Sequence, residues 1–325
     1  ALPILKPSVP MPLERSLDLN ASETALALPY PALAECVRAL LQDDSVRVPA
    51  RIVQPLQGGG SLFVMPACDA QVAMTKLITF VAGNPAQGLP AIQGDVVVFD
   101  PADGQRQVIL HGPTVTARRT AAVSLLAAQT LAPNPQGPML IVGAGVQGRS
   151  HLEAFAQGLN MQEVWVASRT PESAQALVDH AHQLGLRAQV VQDPDAALAH
   201  CPVVITCTSA QEVALRARPR DDAMVCAVGA FTPQMVEWDA PVIEHLVRTG
   251  RVVVDTRDAD HEAGDLLQAG VAVSTLATLG DVIRQTPLGQ TVPHSTGPVF
   301  FKSCGWAGWD LAAVRCWRLG AQTPR

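Results

Sequence analysis

A glycine-rich turn near the middle of the chain has the spacing needed to hold a diphosphate. The apolar run 139–142 leads directly into Gly-Ala-Gly-Val-Gln-Gly at positions 143–148, a helix-forming segment follows at 149–157, and a second apolar strand begins at residue 163. A strand, this turn and a helix together place free backbone N–H groups at a helix N-terminus, where they bind phosphate oxygens. The context therefore predicts dinucleotide binding; the competing interpretation is an ordinary strand–turn–helix connection.

Each glycine of this turn has a separate mechanical role in a dinucleotide site. Gly143 permits the tight turn off the strand, Gly145 lets the backbone approach a pyrophosphate, and Gly148 lets the new helix pack close to the sheet. Val146 and Gln147 lie between the second and third glycines, at the start of the helix. We expect all five residues to contact the cofactor.

The end of the second strand carries the information about which nicotinamide cofactor is bound. NAD sites usually place an acidic residue about 20 residues after the glycines, but the sequence here is Ser168-Arg169-Thr170. A guanidinium pairs with phosphate oxygens in a fork geometry, so these residues predict a preference for NADP(H), with NAD(H) as the alternative. Thr170 has a competing interpretation as a helix N-cap, because Pro171 and Glu172 follow it.

The composition argues against several classes of function. At 325 residues, 48% hydrophobic and 16% charged, the chain has material for two domains with a substantial core. The net charge of −6 and the lack of Lys/Arg-rich runs argue against nucleic-acid binding and against a basic membrane patch. No apolar run approaches the roughly 18 residues of a membrane span, so we expect no membrane association.

The cysteine pattern bears on metal binding and on the cellular compartment. The seven cysteines are scattered and odd in number, without a Cys-x-x-Cys pair or clustered histidines. This usage favours reduced thiols in a cytoplasmic protein over disulfides, and it predicts no metal site.

The first 132 residues mix helical and strand patterns. Apolar residues recur at helical spacing over 22–42, and the Ala- and Leu-rich segment 115–131 is also helical. Between them lie short strand-like runs bounded by turn residues, at 51–54, 61–65, 72–80, 94–100 and 107–110. This region is therefore predicted to be α+β with a mostly antiparallel sheet.

A proline-rich break at 133–138 is the clearest domain boundary. Strands and helices alternate after it, with strands at 139–142, 164–167, 188–191, 203–206, 224–228 and 252–254. Alternation of this kind predicts an α/β fold with a Rossmann doubly wound parallel sheet. We assign this domain to residues 133–304, and an α+β domain to residues 1–132 together with a returning C-terminal helical segment, 305–325.

Several short motifs spread along the chain are specific in combination. They are Val-Pro-Ala-Arg at 48–51, Met-Pro-Ala at 65–67, Met-Thr-Lys at 74–76, Gly-Asn-Pro at 83–85, Thr-Ala-Arg-Arg-Thr-Ala-Ala at 116–122, Ala-Val-Gly-Ala at 227–230, and Phe-Lys-Ser-Cys-Gly at 301–305 followed by Asp-Leu at 310–311. Together with the glycine turn they resemble the ornithine cyclodeaminase/mu-crystallin family over nearly the whole chain. The resemblance implies a homodimer with a Rossmann domain and a substrate-binding and dimerisation domain.

The resemblance also implies the substrate class and the groups that bind it. Family members handle a small α-carboxylate bearing an α-amine or α-imine beside a nicotinamide, and three cations hold that carboxylate. The matching positions here are Arg51, Lys76 and Arg119. A carboxylate that enters a closed site loses its water, and only well-placed cations offset that loss. Taken singly, each of the three is better explained as an ordinary surface charge; the matched set is what favours a function.

Two departures from the family pattern separate the chain from true ornithine cyclodeaminases. Those enzymes carry an acid at the position of Phe231, two residues after Gly229, and a Glu at the position of Phe63. Cyclodeamination needs repeated proton transfers, for which acid/base groups must lie within hydrogen-bond reach. A phenylalanine cannot transfer protons, and reductases similar to mu-crystallin also lack the acid at 231. Both departures indicate the reductase branch.

These residues predict hydride transfer to a cyclic ketimine carboxylate. The three cations would orient the imine carbon over the nicotinamide, which turns a chance encounter into transfer within a bound complex. Lys76 is the candidate proton donor, because a buried lysine has a depressed pKa; its alternative role is a purely electrostatic carboxylate ligand. The expected substrates are 1-piperideine-2-carboxylate or 1-pyrroline-2-carboxylate, reduced to the L-imino acid.

Three other functions stay open at this point. The chain could be an NADP-dependent amino-acid dehydrogenase, or an ornithine cyclodeaminase that forms proline and ammonia. It could also be a cofactor-bound ligand-binding protein without turnover, since binding alone would use the same cations.

Five further residues are expected near the cofactor. Thr208 and Ser209 follow the fourth Rossmann strand at the carboxyl edge, where ligands bind. Val228 and Gly229 belong to the Ala-Val-Gly-Ala motif, and Gly229 would let the cofactor approach closely. Ser303 belongs to the Phe-Lys-Ser motif and is expected beside the nicotinamide or the substrate.

Asp265, His261 and His294 are expected to have structural or solvent-facing positions and no part in catalysis. Asp265 is expected to cap a helix, because it follows Ala263-Gly264 at a predicted helix start. His261 and His294 have no partner recognisable in the sequence and are expected to be structural or to face solvent.

Overall fold

The computed structural model describes residues 17–286 and 297–322. In these ranges the strands are β1 (Leu17–Leu19), β2 (Ile52–Pro55), β3 (Ser61–Cys68), β4 (Ala73–Phe80), β5 (Ile92–Phe99), β6 (Arg106–His111), β7 (Met139–Val142), β8 (Glu163–Ala167), β9 (Arg187–Val190), β10 (Val203–Thr206), β11 (Met224–Ala227), β12 (Arg251–Val254), β13 (Ala277–Thr278) and β14 (Val299–Lys302).

The α-helices alternate with these strands, most regularly in the second half of the chain. They are α1 (Ala21–Ala27), α2 (Tyr30–Leu41), α3 (Gly112–Leu131), α4 (Val146–Gly158), α5 (Pro171–Gln183), α6 (Pro194–Ala197), α7 (Ala240–Thr249), α8 (Ala259–Glu262), α9 (Gly264–Gln268), α10 (Leu279–Gln285) and α11 (Ala307–Gln322). Short 3-10 turns lie at Asn84–Gln87 and Val273–Thr275.

The first sheet has six strands in the order β1-β6-β5-β4-β3-β2 and is antiparallel except for the β1–β6 pair. Side chains alternate between the two faces of a strand. On β4 the residues Met74, Lys76 and Ile78 are buried, whereas Leu77 is exposed. The alternation therefore carries the lysine into the interior, at a position where an apolar residue would be the norm.

The second sheet has eight strands, all parallel, in the order β13-β12-β14-β11-β10-β7-β8-β9. The chain winds outward from β7 in both directions, so the switch point lies between β7 and β10, which pair in register. Ligands of such sheets bind at the carboxyl ends of the strands beside this point. The predicted α/β fold, a Rossmann doubly wound parallel sheet together with an α+β domain, is confirmed.

Two helices bring the sheets together around the site. Helix α3 packs against α2 and β5 on one side and against β11 and β14 on the other. Helix α11 leaves the end of β14 and packs against α2, α3, β3 and β4. Residues near the start of α11 can therefore reach side chains that α3 and β4 supply.

Three differences between the observed elements and the sequence prediction have an identifiable physical reason. The single helix predicted over 22–42 is two helices. Asn20 caps α1 through a capping box with Glu23. The chain then breaks at Pro29, which is the N-cap residue of α2. Helix α3 starts three residues earlier than predicted, where the His111 side chain accepts the Thr114 N–H. Strand β14 was missed: its apolar run 299–301 ends at Lys302, a charged residue that is nevertheless fully buried.

No helix within 17–286 or 297–322 is long and apolar enough to cross a membrane. The same residues contain no group of three or more His, Cys, Asp or Glu side chains that could hold a metal ion. The seven cysteines are free thiols.

Candidate active site

The glycine turn has the geometry that its spacing predicts. Gly143 has a φ of 115°, and a Cβ there would lie 2.6 Å from the Cys207 carbonyl oxygen. A Cβ on Gly148 would lie 2.1 Å from the Gly143 carbonyl oxygen, so only glycine lets α4 start this close to β7. Gly145 has open space around it and precedes α4 without a side-chain cap. The first N–H groups of α4 therefore face an open region that suits an anion.

A cleft of about 1140 Å³ extends from this turn along the carboxyl edge of the sheet. Its lining includes Gly143, Gly145, Ser168, Arg169, Thr208 and Ser209. Pro85, in the connection between β4 and β5, faces the cleft from the first sheet. The volume exceeds that of an ordinary small-molecule pocket and suits a long ligand.

Three residues predicted to bind the cofactor, Val146, Gly148 and Thr170, line neither this cleft nor the smaller cavity beside it. The Val146 side chain is 69% exposed and points to solvent from the first turn of α4. Thr170 occupies the N-cap position of α5, and its hydroxyl donates to the Ser173 hydroxyl at 2.6 Å. The helix-start interpretation of Thr170 therefore describes its position.

A smaller cavity of about 210 Å³ adjoins the cleft, and Cys207 and Thr208 line both. Its other lining residues include the predicted positions Arg51, Lys76, Arg119, Gln147, Val228, Gly229 and Ser303. The three cations come from different elements: the residue before β2, the middle of β4 and helix α3. The fold thus brings together at one cavity three charges that are far apart in sequence.

Lys76 is the most buried of these cations, with 1% of its surface exposed. Its Nζ lies 2.8 Å from Oδ2 of Asp310, and the other oxygen of that carboxylate lies 3.3 Å from Nε of Arg119. Burial lowers the pKa of Lys76 to about 8, with Asp310 opposing the shift and Arg119 adding to it. A lysine with this pKa exchanges a proton near neutral pH. Asp310 belongs to the Asp-Leu motif at 310–311, but nothing in the sequence indicated its contact with these two cations.

Arg51 forms an ion pair with Glu262 at the end of α8. Burial lowers the pKa of Arg51, and the nearby Asp258 opposes this shift. The pair connects the residue before β2 of the first sheet to helix α8, which follows β12 of the second sheet. Nothing in the sequence around Glu262 singled it out as the partner.

The wall that accompanies the cations is apolar. It is formed by Phe63, Met65, Ile78, Phe80, Ile92 and Phe231. Phe231 and Phe63, the two positions where cyclodeaminases carry acids, both face the cavity. Cations with an apolar wall suit a ligand that has a carboxylate at one end and an uncharged body at the other.

Buried carboxylates hold the loops that border the cavity. The carboxylate of Glu237 accepts the backbone N–H groups of Thr208 at 2.7 Å and Gly229 at 2.8 Å. Oδ2 of Asp255 accepts the Ser303 hydroxyl at 2.8 Å, and also the N–H groups of Cys304 and Gly305 at 2.9 Å. Sequence reasoning missed both acids, because each lies more than twenty residues from at least one of the loops that it ties.

The expectation for Asp265 was wrong. Ala263, not Asp265, precedes α9, and no side chain caps that helix. Asp265 is buried and accepts the N–H groups of Glu237 at 2.6 Å and Trp238 at 3.0 Å, while its other oxygen lies 2.8 Å from Nζ of Lys302. A charge this deep requires such partners, which a cap at a surface helix would not supply. His261 is exposed, and His294 lies outside the described residues.

Comparison with known proteins places this site in a family. The model of the ornithine cyclodeaminase/mu-crystallin family matches residues 22–319. Delta(1)-pyrroline-2-carboxylate/Delta(1)-piperideine-2-carboxylate reductase of Azospirillum brasilense is 39% identical over 300 residues, which cover 91% of this chain and 93% of that protein.

Two solved structures have the same fold. An archaeal alanine dehydrogenase dimer with bound NAD aligns with a TM-score of 0.83 at 23% identity, covering 95% of this chain and 98% of that one. The Delta(1)-pyrroline-2-carboxylate reductase of Thermococcus litoralis, in complex with NADH and L-proline, aligns with a TM-score of 0.80 at 21% identity, covering 94% and 96%. At these identities the likeness concerns the fold. The family match and the close relative show that the chain belongs to the ornithine cyclodeaminase/mu-crystallin family.

Proposed function

We propose that this protein is an NADPH-dependent reductase of cyclic ketimine carboxylates, converting 1-piperideine-2-carboxylate or 1-pyrroline-2-carboxylate to the L-imino acid. The observation that carries the proposal is the convergence of Arg51, Lys76 and Arg119 on a cavity with an apolar wall, beside a dinucleotide-type cleft. The relative from Azospirillum brasilense is named as a reductase of both ketimines, which supports the same reaction.

The residues of the cleft fit a nicotinamide dinucleotide. The open space at Gly145 and the uncapped start of α4 suit the diphosphate, and the cleft reaches the cavity at Thr208. When bound, the reduced cofactor supplies the hydride that the imine carbon receives. The aligned structures carry NAD or NADH, which supports a cofactor of this class.

The preference for NADP(H) rests on the end of β8. Ser168 and Arg169 line the cleft there, and no acidic side chain does so at this strand end. Arg169 is exposed and has no ion-pair partner among the described residues, so its guanidinium is available for a 2′-phosphate.

The three cations bind and orient the substrate carboxylate. A carboxylate that loses its hydration shell needs several charged donors in fixed positions. The apolar wall accommodates the uncharged ring and keeps water from the imine carbon. Once the imine nitrogen is protonated its carbon is electrophilic, so position and that one proton are the main requirements that the protein must meet.

Lys76 supplies the proton to the imine nitrogen in this proposal. Its pKa of about 8 lets it donate at neutral pH and take up a proton again from solvent. The alternative role, an electrostatic carboxylate ligand without proton transfer, uses the same position.

The phenylalanines argue against a cyclodeaminase. Phe63 and Phe231 face the cavity at the positions where that reaction needs acid/base groups. A ligand-binding protein without turnover would use the same three cations, so an assay must separate it from an enzyme.

The experiment is steady-state oxidation of NADPH, followed by absorbance, with each cyclic imine as substrate. Ornithine with NAD, and cofactor alone, serve as controls. Rapid NADPH loss with either imine supports the proposal. Ammonia and proline from ornithine would identify a cyclodeaminase instead, and saturable imine binding without NADPH loss would identify a binding protein.

The proposal includes the division of the chain and its assembly. Residues 133–304 form the cofactor domain, and residues 1–132 with 305–325 form the substrate-binding and dimerisation domain of a cytoplasmic homodimer. The exposed apolar residues Ile52, Val53 and Leu77 on the first sheet support burial against a second copy. The aligned archaeal protein is described as a dimer. Sedimentation velocity tests the dimer: a monomer over the working concentration range would contradict it.

A further inference from the structure

We propose that Asp310 is a positioning residue of this site, which holds Lys76 and Arg119 from the C-terminal helix and keeps Lys76 protonated for the reaction. The inference rests on the proposed function, because it concerns the proton that the imine nitrogen receives. Asp310 does not line the cavity, so it acts through the two cations rather than on the substrate.

Among the described residues, the polar contacts of the Asp310 carboxylate are those with the two cations. Its side chain is fully buried, one oxygen lies 2.8 Å from Nζ of Lys76, and the other lies 3.3 Å from Nε of Arg119. Neither oxygen accepts a hydrogen bond from any further described group. A buried carboxylate without other donors persists only because cations compensate its charge.

The path of the chain fixes where Asp310 sits. Between β14 and α11 the backbone passes through Cys304 and Gly305, whose N–H groups are held by Asp255. Gly305 has a φ of 90°, and a Cβ there would lie 3.3 Å from the Arg119 guanidinium. Asp310 follows in the first turn of α11. The helix is thereby anchored with its carboxylate against the cations.

The charges around Lys76 explain why this carboxylate matters for proton transfer. Arg119 on α3 and Arg51 before β2 both lower the pKa of Lys76, as burial does, and Asp310 on α11 raises it. Met65 and Val96, which pair with Lys76 on β3 and β5, are uncharged. Of the interactions that shift the pKa of Lys76 most, only those with Asp310 favour the ammonium form.

The test is Asp310→Asn, assayed as the pH dependence of kcat with saturating cyclic imine. Reduction should fall as pH rises through the pKa of Lys76, since the donor must carry its proton. Without the carboxylate that pKa is lower, so the alkaline limb should move to lower pH by roughly 1–3 units. Activity lost at neutral pH should return on acidification. Asp310→Glu, which keeps the charge, should restore most of the shift.

Asp265→Asn is the matched control, because Asp265 is equally buried and also pairs with a lysine, Lys302, at 2.8 Å. Its loss should leave the alkaline limb at the wild-type pH even where stability falls. An alkaline limb that stays in place in Asp310→Asn, or moves equally in the control, would overturn the proposal.

If Asp310→Asn does not fold, the double variant with Lys76→Met decides. The proposal expects it to fold because the uncompensated ammonium is gone, and a failure would assign Asp310 a purely structural role.

A second measurement needs no turnover and separates this proposal from the proposed function. L-proline binding is followed by calorimetry in two buffers of different ionisation enthalpy, which gives the protons taken up. The bound carboxylate should raise the pKa of Lys76, so uptake should peak near that pKa and move to lower pH in Asp310→Asn. Uptake that moves in this way, without imine reduction, would contradict the proposed function alone. Reduction with identical uptake profiles in the two proteins would contradict the role of Asp310 alone.

Discussion

The rings of Phe80 and Phe231 meet edge to face, with centroids 5.9 Å apart and planes at 84°. Phe80 ends β4, the strand that carries Lys76, and Phe231 lies in the loop after β11. The contact therefore joins the two sheets through the apolar wall of the cavity. An acid at position 231 would face the same space as the three cations and would change which ligands they accept.

We expect Phe231→Asp to weaken ketimine binding, with KM raised about tenfold or more. The new carboxylate would compete with the substrate carboxylate for the cations, and it would also lose the contact with Phe80. Phe231→Leu is the matched control: it loses the same aromatic pair, worth roughly 0.5–1.5 kcal/mol of stability, without adding a charge, so its KM should rise less. Steady-state kinetics with both imines measures the effect. Equal KM values for the two variants would show that charge at this position is irrelevant.

Lys76→Met should reduce kcat by about two orders of magnitude or more if Lys76 donates the proton, which is the usual contribution of a positioned acid. If Lys76 serves only as a carboxylate ligand, KM should rise while kcat changes little. Leu77→Met, at the exposed neighbouring position on β4, controls for the substitution itself. Steady-state assays over a range of imine concentrations separate the two parameters. Full activity would remove Lys76 from both roles.

The sequence predicted the parallel sheet well because its strands are short apolar runs between helical segments. The boundaries of β7 and β10 agree with the prediction, and both border the switch point. Strand β14 could not be recognised, since its apolar run 299–301 ends at Lys302, a charged residue that is buried only through its pair with the distant Asp265. Its position between β11 and β12 is decided by the packing of the whole sheet.

The site was predictable where a residue's role depends on its local motif. Gly143 and Gly148 have close backbone neighbours that only the strand–turn–helix geometry creates, and the spacing is enough to identify them. Asp310, Glu237 and Asp255 act on groups far away in the chain. Their partners follow from tertiary contacts, which no periodicity or spacing records.

Gly145→Ala and Gly148→Ala should impair different properties of the protein: cofactor affinity in the first variant and folding stability in the second. A methyl at 148 would lie 2.1 Å from a backbone oxygen, so we expect a loss of stability of several kcal/mol or failure to fold. A methyl at 145 meets nothing within 4 Å, so the free energy of unfolding should change by less than about 1 kcal/mol. Cofactor affinity should nevertheless fall, because that open space is where the diphosphate would approach. Chemical denaturation and NADPH titration measure the two effects. A destabilised Gly145→Ala, or one with unchanged affinity, would contradict the assigned role.

Arg169→Ala should weaken NADPH binding about tenfold and leave NADH binding unchanged. The guanidinium is exposed, so solvent screening keeps the effect below that of a buried charge pair. Arg187→Ala, which removes an exposed arginine paired with Glu163 at the far end of β8, is the control. Fluorescence titration with both cofactors gives the ratio of affinities. Equal losses for NADPH and NADH, or no loss, would contradict a contact with the 2′-phosphate.

His151 should make the protein less stable in mild acid. It is fully buried on α4, where one ring nitrogen lies 2.8 Å from the Gln147 carbonyl oxygen and the other 3.0 Å from the Ser124 hydroxyl. Burial lowers its pKa from 6.5 to about 4, so the unfolded chain binds one proton more than the folded chain between these values. Stability therefore falls as pH drops through this window, by roughly 3 kcal/mol in all.

The variant His151→Gln keeps a polar side chain but cannot titrate, so its free energy of unfolding should lose this part of the pH dependence. Urea denaturation at several pH values between 4 and 7 measures the slope for each protein. His261→Gln removes an exposed histidine and should keep the wild-type slope. Acidic groups titrate in the same range in all three proteins, so the decisive quantity is the difference in slope between wild type and each variant. A His151→Gln slope equal to that of wild type would mean that His151 is protonated in the folded protein.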